Sequence, residues 1–189
     1  MSMNLRRKLL QLLAASPLLA QSTVFAKNSD KMSPTDQSVK LRWGHININV
    51  SNLDSAISFY EKLGFSVYIP SIPYIGLTSK PQSNSVDEGS STALGLPPET
   101  SGRACIMQLD NGYPKLDLTQ FNDMPPSKPL NNANLGLVRM CLASANLEAD
   151  YKKLTNLGVE FISPPMTTKD GMADIAVCID PDGALIELI

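Results

Sequence analysis

The chain has a single histidine, His45, in 189 residues. One chain therefore cannot supply the two imidazoles of a two-histidine, one-carboxylate iron site. Cysteine is scarce too: Cys105, Cys141 and Cys178 make an odd three, and none has CxxC spacing. A disulfide framework is not expected, although one pair could bridge in an oxidising compartment. Each cysteine falls inside a predicted strand, where the plain expectation is a small buried core residue. There is no excess of positive charge. The net charge is −2, and it becomes −5 once a leader carrying Arg6, Arg7 and Lys8 is removed. A mildly acidic chain lacks the electrostatic footprint for nucleic acid or an anionic membrane. The apolar run Leu9 to Ala20 is shorter than the roughly 20 residues that span a bilayer. No stable membrane span is expected after the leader is lost.

What is present begins with that leader. Arg6, Arg7 and Lys8 precede the apolar run, and Val24-Phe25-Ala26 forms a small-x-Ala cleavage site before Lys27. Residues 1–26 read as a cleavable export signal. The run LRRKLLQ resembles a twin-arginine signal, and an ordinary secretory leader is the alternative. The expected destination is the bacterial periplasm. Residues 27–40 are polar and read as a flexible linker.

The rest of the chain repeats itself. Trp43 to Phe65 reads WGHININVSNLDSAISFYEKLGF, and Leu135 to Phe161 reads LGLVRMCLASANLEADYKKLTNLGVEF. Both predict a strand, a short turn, a helix and a glycine. The strands alternate with period two. Ile46, Ile48 and Val50 oppose His45, Asn47 and Asn49; Val138, Met140 and Leu142 oppose Leu137, Arg139 and Cys141. The helices carry apolar residues at helical spacing: Leu53, Ala56, Ile57, Tyr60 and Leu63, then Leu147, Tyr151, Leu154 and Leu157. Gly64 and Gly158 are placed to end them in a left-handed conformation. The apolar strand face must cover the helix, so the polar face looks the other way.

Further strands follow each unit. They are predicted near Val67–Ile69, Ala104–Asp110 and Lys115–Phe121, then near Glu160–Ile162, Ala173–Ile179 and Ala184–Ile189. Asp110-Asn111-Gly112 and Asp180-Pro181-Asp182-Gly183 supply the turns. The fold class is α+β: two tandem βαβββ modules, 41–121 and 135–189, forming a curved mixed sheet around a cup. The Ser-, Pro- and Gly-rich stretch from Pro70 to Gly102 reads as a long loop with a short helix near Leu94. Loops of this length are usually lids or disordered insertions. Asn122 to Asn134 reads as the connection between the modules.

This order of features resembles the vicinal oxygen chelate superfamily, which includes glyoxalase I, extradiol dioxygenases, methylmalonyl-CoA epimerase and bleomycin-resistance proteins. The resemblance covers roughly Leu41 to Ile189. It rests on Gly44-His45, on the helix ending Phe59-Tyr60-Glu61-Lys62-Leu63-Gly64-Phe65, on Leu116-Asp117-Leu118-Thr119, and on Asp180-Pro181-Asp182-Gly183 leading to Ile186-Glu187-Leu188. The resemblance implies a cup that holds one divalent metal ion and a small molecule chelating it through neighbouring oxygens. Its ligand positions fall on His45, Asp117, Leu137 and Glu187. Strand parity turns His45, Asp117 and Glu187 toward the cup, but Leu137 cannot bind metal. The remaining His/Asp/Glu set would suit Mn²⁺, Mg²⁺ or a weakly held Zn²⁺ or Fe²⁺.

Arg139 shares the face of Leu137. It could clamp a ligand carboxylate bidentately or neutralise Asp117 or Glu187. Asn47 and Asn49 face inward and suit ligand hydrogen bonding or bonds within the cup floor. Tyr74, in the long loop, is placed to close over the cup. Two functions follow. One is a metal-assisted lyase or isomerase of the glyoxalase type, in which Glu187 or Asp117 moves a proton. The other is a metal-free protein that binds or sequesters a small molecule, as bleomycin-resistance proteins do. The resemblance makes a homodimer compatible with either.

Overall fold

The computed structural model describes residues 40–123, 125 and 127–189. The export signal 1–26, and the linker 27–40 except for its last residue, lie outside them. No helix among the described residues is long and apolar enough to cross a membrane.

In chain order the first copy opens with β1 (His45–Asn49), α1 (Leu53–Lys62) and β2 (Phe65–Ile69). A segment of short elements follows: β3 (Ser71–Ile72), a 3-10 turn (Pro73–Ile75), β4 (Leu77–Thr78), β5 (Asn84–Ser85) and α2 (Glu88–Leu94). The copy closes with β6 (Ser101–Leu109) and β7 (Lys115–Phe121). The second copy runs β8 (Arg139–Leu142), α3 (Leu147–Asn156), β9 (Glu160–Phe161), β10 (Met166–Thr167), β11 (Asp174–Ile179) and β12 (Leu185–Leu188).

The pairing of the two copies is the same. β1 lies parallel to β7, which is antiparallel to β6, which is antiparallel to β2. β8 lies parallel to β12, which is antiparallel to β11, which is antiparallel to β9 and β10. The α+β class and the tandem βαβββ modules therefore hold. Each module builds its own five-stranded mixed sheet, ending at its first strand, β1 or β8, and β3 and β4 pair with each other in a small two-stranded sheet.

Local chemistry explains where the helices start and stop. Asn52 and Asn146 accept from the amides of Ser55 and Ala149, satisfying one orphan donor each. Gly64 (φ +96°) and Gly158 (φ +80°) follow the helices in the left-handed region that a Cβ disfavours.

The helix-bearing faces of both sheets share one core. From the first module it takes Leu53, Tyr60, Cys105, Met107, Leu116 and Leu118; from the second, Leu147, Leu154, Cys178, Ile186 and Leu188. Two carboxylates stitch the modules together. Asp180 receives the Tyr60 hydroxyl at 3.1 Å and, on its other oxygen, closes its own turn through the amides of Asp182 and Ala184. Asp182 accepts from the amide of Ser51 at 2.9 Å. Cys105 and Cys178 are buried core residues as expected, with thiols pushed up to about 12 and about 11 by burial. Cys141 differs: it is exposed, because it alternates with the core residues Met140 and Leu142. All three thiols are free.

The stretch after Pro70 carries the expected short helix near Leu94, found as α2, but the rest of it is not the loop that its composition predicts. Ile72, Ile75, Leu77 and Val86 pack with Ala104, Ile106 and Phe121 into a second, smaller core. Ala104 and Ile106 lie opposite Thr119 and Asp117 in the ladder, so this core covers the polar face of the first sheet. Arg103 anchors the segment. It donates bidentately to Asp54 on α1 and also to the carbonyls of Ser79 and Lys80.

A glycine inside β6 tests this packing. A Cβ on Gly102 would collide with the backbone carbonyl of Gln120, whereas Gly44 faces open space. Gly102→Ala is expected to destabilise the fold by about 1–3 kcal/mol, since backbone must move. Gly44→Ala should stay within about 0.5 kcal/mol of the parent. Urea unfolding of the two variants checks this; equal midpoints would show that β6 and β7 are not paired as described.

Candidate functional site

β7 is the middle strand on which the site is built. Leu116 and Leu118 enter the shared core, so Asp117 and Thr119 point to the opposite face. Asp117 lies across from Asn47 on β1 and Ile106 on β6. Its side chain is 1% exposed, while that of His45 is 44% exposed. The result is a buried carboxylate beneath a solvent-facing imidazole, with His45 Nε2 3.6 Å from Asp117 Oδ2.

The covering segment supplies a third group. The Tyr74 hydroxyl donates to Asp117 Oδ2 at 2.7 Å and lies 3.4 Å from His45 Nε2. Its ring stacks on the imidazole, with centroids 5.9 Å apart and planes 22° apart. A phenol has one hydrogen, and Asp117 takes it. Toward His45, over the longer 3.4 Å, its oxygen can then only accept. Burial raises the Asp117 pKa, opposed by the bond from Tyr74 and the charge of His45. Burial, with the bond to Asp117, also raises that of Tyr74. Asp117 Oδ1 is buried with no partner.

The other predicted residues divide between the two sheets. Asn47 and Asn49 share the face of His45 but bond to each other at 2.9 Å, and Thr119 donates to Asn47 at 3.0 Å. Asn49 keeps its amide hydrogens. On the second sheet, Arg139 forms an ion pair with Glu187 and donates to Asn132 at 3.1 Å. The Glu187 side chain is 12% exposed. Leu137, at the position of a family metal ligand, precedes β8 and is largely exposed.

His45 and Asp117 are thus brought together, and Glu187 is matched with Arg139 instead. Among the described residues, no group of three or more His, Cys, Asp or Glu side chains is placed to share a metal ion. As arranged, the residues do not fit the three-ligand centre that the family positions imply. Two members of the site carried little signal in the sequence. Thr119 is legible by parity, two residues beyond Asp117. Tyr74 is legible only as an aromatic in an irregular segment, since its contacts span 29 and 43 positions.

Comparison with solved structures shows the fold. A glyoxalase family protein from Bacillus cereus is 20% identical with a TM-score of 0.62, covering 81% of this chain and 95% of that one. A glyoxalase family protein from Enterococcus faecalis is 24% identical with a TM-score of 0.52, covering 76% and 93%. The trypanothione-dependent glyoxalase I of Leishmania major is 19% identical with a TM-score of 0.51, covering 79% and 86%. No curated protein matches the sequence. A family model, however, matches residues 42–188. The duplicated βαβββ unit and that match together place the chain in the Glyoxalase/Bleomycin resistance protein/Dioxygenase superfamily.

Proposed function

We propose that this is an exported member of the superfamily that binds a small oxygen-bearing ligand beside His45, Tyr74 and Asp117 without a resident metal ion. The observation that carries this reading is the pairing of Glu187 with Arg139. It neutralises the one carboxylate that would complete a ligand set with His45 and Asp117. What remains is a hydrogen-bonding site. The exposed His45 imidazole and the Asn49 amide can each bond a ligand, above the buried Asp117 carboxylate. The leader supports export to the bacterial periplasm, with the twin-arginine route as its variant. The first strands β1 and β8 each end a sheet, and these free edges support association with a second copy as a homodimer.

The competing reading is a metal-assisted lyase or isomerase holding one Mn, Mg, Zn or Fe ion, with Glu187 as its base. It requires Glu187 to leave Arg139. The asymmetric fate of the carboxylates makes the two readings separable. Natively purified protein is expected to carry no stoichiometric metal and to bind Mn²⁺, Zn²⁺, Ni²⁺ and Fe²⁺ no tighter than roughly millimolar, the weak end for oxygen-rich sites. A thermal shift produced by phenols or by hydroxy- and oxo-carboxylates should survive chelator. Stoichiometric metal, lost together with turnover in His45→Ala, would establish the enzyme reading instead.

Asp117 also gives a pH signature. Its ordinary pKa is 3.8 and burial raises it in the fold. Between those values the folded chain keeps a proton that the unfolded chain has lost. Stability from this group is therefore fully present below pH 3.8 and falls as pH rises through the window. Asparagine carries no such loss and still accepts from Tyr74. Asp117→Asn is expected to melt about 2–5 °C higher than the parent at pH 7, and the gap should close toward pH 3.8. A variant that melts lower at pH 7 would show that Asp117 is stabilised as a carboxylate.

A further inference from the structure

Lys115 opens β7 and is only 8% exposed. Lysines this deeply buried are rare unless paired, because an ammonium taken out of water has to be compensated. Its Nζ donates to Gln108 Oε1 at 2.9 Å and lies 4.5 Å and 4.8 Å from the ring centroids of Tyr68 and Tyr113. Those partners are an amide and two ring faces, and none of them carries a charge. Among the described residues, no carboxylate stands within ion-pair distance of this ammonium. Asp117 is two residues along the same strand, yet its Oδ2 takes the Tyr74 hydroxyl and its Oδ1 has no partner. The contrast with the arginines is direct: Arg103 is held by Asp54 and Arg139 by Glu187.

The ammonium belongs to the face that carries His45. Lys115 is the ladder partner of His45 between β7 and β1, and it alternates with Leu116 of the core, so it shares the face of Asp117. Its tip leans toward Gln108 on β6, whereas the imidazole leans toward Asp117 and Tyr74. The two polar tips therefore diverge from neighbouring strands that lie about 4.8 Å apart. What lies over Nζ is aromatic and at the surface: Tyr68 is 50% exposed, and Tyr113, on the turn between β6 and β7, is 66% exposed. A cation–π contact to a ring at the surface is weaker than a charge-assisted hydrogen bond to a carboxylate. A ligand carboxylate can thus take the place of the Tyr113 ring.

We propose that Lys115 selects the ligand of the His45 site, and that this ligand is an acid. Its hydroxyl meets His45, and its carboxylate displaces the Tyr113 ring to supply the missing counter-charge at Nζ. The divergence of the two tips calls for a molecule with these groups at opposite ends of one ring, a phenolic acid. This assignment rests on the ligand site proposed beside His45 and narrows its ligand from oxygen-bearing molecules to anions.

Calorimetric titration of the full chain with 4-hydroxybenzoate and with its neutral isostere 4-hydroxybenzamide tests the assignment. The acid is expected to bind at least about tenfold tighter than the amide, as one charge-assisted hydrogen bond implies. Lys115→Met keeps the apolar stem and removes the charge. It should weaken the acid by about tenfold and leave the amide unchanged, whereas Lys115→Arg should keep the preference. Tyr113→Ala uncovers the ammonium and should tighten the acid by about threefold. His45→Ala should weaken both probes alike. The comparison of acid and amide on the parent needs no variant, so it decides even where Lys115→Met does not fold. Equal affinity for the two probes, a preference that survives Lys115→Met, or an acid held more weakly by Tyr113→Ala overturns the role of Lys115 and leaves the His45 site standing. Absence of saturable heat from both probes, or binding indifferent to His45→Ala, overturns the two together.

Discussion

Everything in the first module depends on the alternation of side chains along β7. This strand is bonded on both sides, to β1 and to β6, so none of its side chains can avoid commitment to a face. Leu116 and Leu118 join the shared core, and Asp117 is driven to the other face at zero exposure. A one-residue slip would exchange the two sets and place a carboxylate in the apolar core. Burying an isolated charge is costly unless it is bonded. The bond from Tyr74 and the nearby imidazole are how this fold meets that cost. The site is thus a consequence of register before it is anything chemical.

The same register explains why much of the fold was legible in the sequence. The strand Lys115–Phe121 was expected and found with the same bounds, because alternation over seven residues is hard to mistake. Gly64 and Gly158 end their helices as their placement predicts. Apart from the short helix near Leu94, found as α2, the segment after Pro70 was not legible. Its strands β3, β4 and β5 are two residues each and its 3-10 turn is three. Elements that short show no period, and their Ser, Pro and Gly content reads as loop. What orders them is tertiary: four apolar side chains on the sheet and Arg103 gripping two carbonyls. The site was legible in the same uneven way. Parity assigned the face of His45, Asp117 and Glu187, but a face is not a neighbourhood. Parity left Arg139 free to neutralise Asp117 or Glu187, and the register between β8 and β12 decides for Glu187.

The two modules have kept one architecture and diverged in what lies over it. In the first, the covering segment buries the polar face and inserts Tyr74 beside His45. In the second, β9 and β10 are joined by only a few residues and no equivalent segment exists among the described residues. Cys141 is left exposed there and Arg139 half-exposed. Duplication gives two equivalent sheets, but an insertion in one copy makes their polar faces chemically unequal.

That inequality bears on how ligand access is controlled. Tyr74 rides on a turn closed by Gly76 in the left-handed region, and its carbonyl is held by Ser90 of α2. Its hydroxyl makes one strong contact, to Asp117, and one long one, to His45. Asp117 Oδ1 is itself closed off from solvent, so a ligand meets the exposed imidazole of His45 first. A ligand that needs Oδ2 must break the Tyr74 bond and lift the ring from His45, at the expense of both the hydrogen bond and the stacking. Binding against His45 with the Tyr74 ring left in place as part of the wall is therefore the less costly approach.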